Sequence, residues 1–318
     1  MVEGAKNRVL LTAVGSMSAV SVVKSLKSQG HYVLASDLNK VEYLPCARLC
    51  DDFIQIPRAD DPSYVERLLD ACQKHKIEYV IPLTDPEVDT LNVHRAAFEA
   101  QGITVCISPS EAVTVARDKY ALAQRFESHD IVKTIPSYRL KDAAGLPTGT
   151  SLVAKPASGR SSQGLFYCKS EDLSQSHARV KEGYIFQPFC EGKLVTVDYL
   201  RDQFGVSVAV PRYEHLRTPN GAGLTVETFR NEQLLESIRA IGDELGVIGC
   251  VNMEFIQTES AFLIMDFNPR FSAGVAFSVM AGYDFPIQNL ACFRGEAIEK
   301  RNEFEEKLMA KDYYELEL

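Results

Sequence analysis

Residues 251–270 read VNMEFIQTESAFLIMDFNPR, and their alternation resolves into two short strands. Over 250–256, Val251, Met253 and Phe255 take one face, and Asn252 and Glu254 take the other. A turn over 258–261 leads into a second strand, 262–267, on which Asp266 and Asn268 are expected to share a face with Ile264. Antiparallel pairing would set Glu254 roughly opposite Asp266, with the register open by a residue or two. Asp266 and Asn268 would project in parallel, roughly 6.6 Å apart along the strand. Three oxygen-bearing side chains then converge on one patch of otherwise apolar strands. Hard oxygen donors that leave room for water and phosphate suit Mg²⁺. A cation there also relieves the repulsion between neighbouring carboxylates. The plainer alternative is the solvated face of an ordinary hairpin. The apolar strands around these residues, and Pro269–Arg270 immediately after them, weigh against it.

Outward from this hairpin, the chain has two styles. The first third alternates, with strands expected at 9–13, 32–36, 53–56, 79–81 and 103–107. Helices are expected over 17–28, from Pro62 to about 76, and from Asp85, as a cap, to near 102. Such alternation predicts a parallel sheet with helices on both faces, an α/β Rossmann-like domain. Ser108–Pro109–Ser110–Glu111 reads as a capping box at the start of the next part. From there strands dominate, at 151–155, 165–168, 184–187, 194–200 and 206–210, with a helix over 231–245 before the hairpin. The second part is therefore α+β.

Composition excludes several classes. The chain has 318 residues, enough for two domains, and a formal net charge of −9, which disfavours nucleic acid as a partner. The eight cysteines form no C-x-x-C pair. Cys46 and Cys50 have no matching Cys or His pair downstream, so reduced thiols in a cytoplasmic protein are the expectation. No signal peptide or membrane-length apolar run is apparent, so no membrane partner is expected. Val14–Gly15–Ser16 after the first strand, with Asp37, invites a dinucleotide reading. It lacks G-x-G-x-x-G, and a tight strand-to-helix turn is the better account. The six histidines are scattered and carry no triad or metal spacing.

Lys155 ends a strand and is followed by Pro156-Ala-Ser-Gly-Arg-Ser-Ser-Gln-Gly164. Gly159 and Gly164 permit backbone conformations closed to other residues, and such a loop can present N–H groups to phosphate. It is not a P-loop, because no G-x-x-x-x-G-K-[ST] is present. Read alone, it is an ordinary loop.

Together, the Lys155–Pro156 loop and the Asp266-x-Asn268–Pro269–Arg270 end resemble the ATP-grasp superfamily. Its carboxylate–amine ligases and the carbamoyl phosphate synthase large-subunit type are the nearest match. The resemblance covers nearly the whole chain. It implies a pre-ATP-grasp domain over 1–108 and an ATP-grasp domain over 109–318, with a lid over about 119–187. It implies ATP and Mg²⁺, or Mn²⁺, as cofactors. Lys119 and Lys155 would meet the phosphates, under a lid loop with Ser158, Gly159, Ser161, Ser162 and Gly164. Gln187, Pro188 and Phe189 would form the adenine hinge, and Glu254, Asp266 and Asn268 the metal ligands. Arg270, with Lys155, would stabilise the transferred phosphoryl group.

The sequence departs from the family's pattern in three ways. Asp266 stands where a Glu is usual. Glu191, the nearest candidate for ribose, is offset. Only one ATP-grasp unit and no glutaminase are present. The implied activity is ADP-forming ligation of a small-molecule carboxylate to an amine through an acyl phosphate. An ATP-binding sensor or partner subunit is the alternative. The oligomeric state is left open and admits a homodimer. Arg212 and Arg217 are further candidates for the acceptor carboxylate or the γ-phosphate, or are plain loop arginines. The first reading expects Arg212→Ala to lose activity but little stability.

Overall fold

Five parallel strands form the first sheet: β1 (Arg8–Leu11), β2 (Tyr32–Asp37), β3 (Asp52–Gln55), β4 (Tyr79–Ile81) and β5 (Thr104–Val105). Their spatial order is β3-β2-β1-β4-β5. The computed structural model of the chain describes residues 6–159, 163–173, 182–301, 303–313, 315 and 317. Val9, Leu10 and Leu11 of central β1 are fully buried, because helices cover both faces of the sheet.

Two helix starts differ from the sequence reading. The helix Asp85–Val93 begins at Asp85 itself, and Thr84 is its cap. Glu87 accepts from the Thr84 N–H (3.2 Å) and from the Thr84 hydroxyl (2.7 Å). Capping is thus completed without the Asp85 carboxylate. The run expected to continue to 102 breaks at His94, and a second short helix covers Arg95–Glu99. Ser108 does not cap the next helix, Ser110–Arg117. Its hydroxyl donates instead to the Ile248 carbonyl (2.7 Å), fastening the two halves of the chain.

The second half holds β6 (Lys133–Thr134), β7 (Ser151–Pro156), β8 (Phe166–Lys169), β9 (Tyr184–Pro188), β10 (Lys193–Arg201) and β11 (Ser207–Arg217). β12 (Gly223–Thr228), β13 (Gly249–Gln257), β14 (Phe262–Asn268) and β15 (Leu308–Ala310) follow. A small antiparallel sheet has the order β8-β7-β9, and a seven-stranded sheet the order β15-β12-β11-β10-β13-β14-β6. The small sheet rests on its own core of Ala143, Leu152, Ala154, Leu173 and Phe186. Leu122 and Phe126, by contrast, pack with the core of the large sheet. β11 runs on through Pro211 to Arg217, past the expected end at 210. β6, β12, β15 and the helices Val275–Met280 and Phe285–Phe293 had no expected counterpart.

The two faces of the large sheet differ. On one, Val195, Val197, Tyr199, Met253, Phe255 and Phe267 pack against Leu234, Ile238 and Ile241 of the helix Glu232–Glu244. Asn231 caps that helix by accepting from the Leu234 N–H (3.0 Å). On the other, Leu200, Val208 and Val210 join Val275, Phe285 and Leu290 in a core that continues into Val22 and Leu26 of the N-terminal helix Ala19–Ser28. The two halves therefore share an apolar core. All eight cysteines are free, and five of them are buried. Among the described residues no helix is long and apolar enough to cross a membrane.

β14 carries a bulge. Glu254 pairs with Asp266 as the alternation suggested, but Phe255 pairs with Ile264, so Met265 is an extra residue. Ile264 therefore points into the core with Phe262 and Phe267, not onto the face of Asp266 and Asn268. Without the bulge, Asp266 would fall on the apolar side.

Candidate functional site

A cleft of about 850 Å³ lies between the carboxyl ends of β1–β4 and the polar part of the large sheet's second face. It is large enough for a nucleotide and a small partner molecule. Loops after β1, β2, β3 and β4 form one wall, as expected where a parallel sheet's carboxyl ends meet a crevice. Gly15 donates to Asp37 Oδ2 (2.9 Å), and Asn39 donates from both its backbone and its side chain to Oδ1. Asp37 thus serves the strand-to-helix turn, as the absent dinucleotide fingerprint implied.

β13 and β14 bring Glu254, Asp266 and Asn268 to the cleft floor. Each meets a cationic side chain. Glu254 lies 3.1 Å from Arg217, Asp266 lies 2.9 Å from Lys119, and Asn268 Oδ1 accepts from Arg270 at 3.4 Å. Burial pushes the Glu254 carboxyl up, Arg217 opposes this, and the charge of Asp266 adds to the rise. No group of three or more His, Cys, Asp or Glu side chains gathers at one point among the described residues. The donor set is two carboxylates and an amide, all oxygen, with a repulsion that a divalent ion would relieve. That chemistry fits Mg²⁺.

Lys119 and Lys155 reach the same floor. Asp118 caps the helix Lys119–Arg125 by accepting from the Tyr120 and Ala121 N–H groups. The cap fixes where that helix begins, and the Lys119 ammonium from its first residue donates to the Gly159 carbonyl (3.0 Å). Lys155 is the next-to-last residue of the small sheet's central strand and forms no ion pair within 4 Å among the described residues. Burial lowers its ammonium to about 8, against the attraction of Asp266 and Glu254. Gly159 lines the cleft, whereas Ser158 is exposed and lies outside the lining. Gly164 has φ +75°, and its carbonyl accepts from the Tyr184 hydroxyl (3.0 Å). Gly159 needs no such conformation. Ser161 and Ser162 lie outside the described residues.

Other expected residues are not brought to the cleft. Gln187 and Pro188 lie within β9, where the Gln187 amide donates to the Ser137 hydroxyl (2.7 Å). The Phe189 N–H is taken by the Ser151 carbonyl (2.8 Å) and its ring is exposed. A Phe189 N–H already bonded within the small sheet is not available to a base edge. Glu191 is exposed and away from the cavity lining.

Arg212 and Arg217 lie on β11, not after a strand. Arg212 is fully buried. It pairs with Asp198 (2.8 Å), donates to the Ser272 hydroxyl (3.0 Å) and lies 3.6 Å from Glu214. A Cβ on Gly274 would come 2.8 Å from its guanidinium. Arg212 therefore lines the cleft as a buried, paired charge, and that burial argues against the expectation that its loss would spare stability. Arg217 bridges Glu214 (2.6 Å) and Glu254, and donates to the Gly221 carbonyl (2.5 Å).

Arg270 carries a partner that the sequence did not reveal. Its Nε and Nη2 donate to the two oxygens of Asp85 (2.9 and 3.2 Å), 185 residues away. Asp85, Asp198, Glu214 and Thr196 were all missed. Only the strand positions of Asp198 and Thr196 and the helix start at Asp85 were legible. Glu214 falls in the part of β11 beyond the expected end at 210, and nothing local marks which partner each would face.

Comparisons with known proteins bear on the fold. The family described as "PylC-like, N-terminal domain" matches residues 9–106. The family described as "ATP-grasp in the biosynthetic pathway with Ter operon" matches residues 181–315. No curated protein matches the sequence. Among solved structures, the biotin carboxylase domain of 2-oxoglutarate carboxylase from Hydrogenobacter thermophilus, with MgADP, ADP and bicarbonate, is similar with a TM-score of 0.79. Identity is 18%, over 95% of this chain and 73% of that one. A biotin carboxylase–β-γ-ATP complex from Campylobacter jejuni gives 0.76 at 16% identity, over 94% and 73% of the two chains. The ADP complex of N5-carboxyaminoimidazole synthetase from Staphylococcus aureus gives 0.75 at 15%, over 95% and 81%. At such identities the likeness is one of fold.

Proposed function

The chain is a member of the ATP-grasp superfamily, a PylC-like N-terminal domain followed by an ATP-grasp domain, and from that premise we propose that it is an ADP-forming carboxylate–amine ligase. One observation carries the reading. Lys119, Lys155, Glu254 and the run Asp266–Arg270 with Asn268 come from four separate stretches of chain and meet on the floor of one cleft.

In the proposed reaction a carboxylate oxygen attacks the γ-phosphorus of ATP, the bond to the β-phosphate oxygen breaks, and ADP leaves. An amine nitrogen then attacks the acyl carbon, the acyl–oxygen bond breaks, and phosphate leaves as the amide forms. Such chemistry needs positioning and charge neutralisation more than covalent help. Lys119 and Lys155 hold the phosphates, and Arg270 faces the group in flight. Glu254, Asp266 and Asn268 would hold Mg²⁺, which supplies charge neutralisation at the phosphates when bound. Gly159, on the cleft lining, would help keep water from the acyl phosphate. We place the domain boundary near 108–109 and the lid over about 138–188, the span from which the small sheet draws its core.

ADP and phosphate release from Mg-ATP, measured with pooled carboxylates and amines beside Glu254→Gln, tests this. Release that depends on the pool and disappears in the variant is the expected result. Tight nucleotide binding without turnover would favour a sensor or partner subunit, and AMP release would overturn the acyl-phosphate route.

A further inference from the structure

We propose that Asp85, a residue of the N-terminal domain, is the positioning residue for Arg270 and so for recognition of the terminal phosphate. The inference rests on the reading of the cleft as an Mg-ATP site.

Asp85 follows β4 and opens its helix, yet its carboxylate is not spent on the helix, because Thr84 and Glu87 complete the cap between themselves. It is 4% exposed and grips the Arg270 fork through both oxygens. A buried carboxylate would normally rise in pKa. Burial does push Asp85 up, but Arg270, Arg117 and Lys119 outweigh it and hold the group below the usual carboxylate range. Asp85 is thus an anion among three cations, of which Arg270 and Lys119 line the cleft.

The grip determines which Arg270 donors remain. Nε and one Nη2 hydrogen go to Asp85, and one Nη1 hydrogen goes to the Phe271 carbonyl (3.0 Å). The second Nη2 hydrogen makes only the long 3.4 Å contact to Asn268. One Nη1 and one Nη2 hydrogen, on the outer edge of the fork, are left for a ligand. A guanidinium held on one edge by a fixed carboxylate offers the other edge at a fixed angle.

The same carboxylate lies 3.7 Å from Arg117, which is itself clamped by Asp89 (2.8 and 3.0 Å). Arg117 stands two residues before Lys119. Arg117 keeps its clamp on Asp89, and Lys119 keeps Asp266 and the Gly159 carbonyl, so the direct hydrogen bonds of Asp85 serve Arg270. The consequence is selectivity. An Arg270 freed from Asp85 keeps its charge but loses its orientation toward a γ-phosphate, while contacts to the inner phosphates are untouched.

The test compares Mg²⁺ with ADP against Mg²⁺ with the non-hydrolysable β,γ-imido analogue of ATP, by calorimetric titration of the full chain. Asp85→Asn keeps size and removes charge. Affinity for the triphosphate analogue should fall about tenfold, the order expected for losing a bidentate charge-assisted pair, with ADP affinity within about twofold. Asp85→Glu, which restores the charge one methylene further out, should recover part of the difference. It also serves as the test variant if Asp85→Asn does not fold. Equal losses for both nucleotides, or no change for either, would overturn the role of Asp85 alone. A parent chain that binds neither nucleotide would overturn the reading of the cleft, and this inference with it.

Discussion

At the residue scale, the cleft is built from charges whose neighbours decide their behaviour. Arg212 was legible as a candidate ligand because it is an arginine near glycines. Its burial beside Asp198 gives it a different role. Arg212→Ala leaves the buried Asp198 carboxylate with the Ser278 hydroxyl as its remaining side-chain hydrogen-bond partner among the described residues. Breaking such a pair costs about 3–5 kcal/mol, so thermal unfolding should show a large drop in Tm. An unchanged melting curve would return Arg212 to the list of ligand candidates.

Lys155 supports a prediction in pH. Its folded value of about 8 lies below the ~10.4 of a free lysine, so the unfolded chain holds more protons between these values. Stability contributed by this group therefore rises as pH increases through that window. A phosphate brought against the ammonium favours the charged form. Nucleotide binding near pH 8.5 should then take up a proton, seen as buffer-dependent heats in calorimetry and abolished in Lys155→Met.

At the scale of elements, the strands were read to within a residue or two wherever alternation was clean, and the Glu254–Asp266 register was legible. The bulge at Met265 was not. Nothing in Phe262–Asn268 announces that one residue is extra, because either parity puts some apolar side chain inward. The strand β12 was hidden by the glycines before it, and β6 and β15 are too short to show a period. A different element-scale feature is Gly242, within the helix Glu232–Glu244. A Cβ there would run into the ring and hydroxyl of Tyr199 on the sheet. Gly242→Ala gains about 1 kcal/mol in helix propensity. Overpacking costs about 1–3 kcal/mol, so the net change should be a loss, read from the denaturant midpoint. A gain in stability would mean that the helix can move off the sheet.

At the scale of the whole molecule, the domains are not independent bodies. The core that includes Val22 and Leu26 runs without interruption into Phe285 and Leu290, and Ser108 is bonded to Ile248. Calorimetry of the full chain should therefore show one unfolding transition, not two. Residues 109–318 produced alone expose the apolar face that Ala19–Ser28 covers, and should lack a cooperative melt. Two resolved transitions would show that the shared core does not couple the halves. The cleft depends on the same arrangement, because one wall comes from each half.

The sequence by itself determined the α/β and α+β halves and the polar face of β13, which follow from local periodicity, while Lys119, Lys155 and Arg270 were nominated through the family resemblance of two short motifs. Only the tertiary structure decided that Asp85 holds Arg270, that Arg212 is buried, that Gln187 and the Phe189 N–H are used within the small sheet, and that a bulge aims Asp266. Each of those depends on which distant groups share a dielectric and a hydrogen bond. Pairing across 185 residues leaves no period in the chain, because a charge's partner is chosen by packing rather than by its neighbours in sequence.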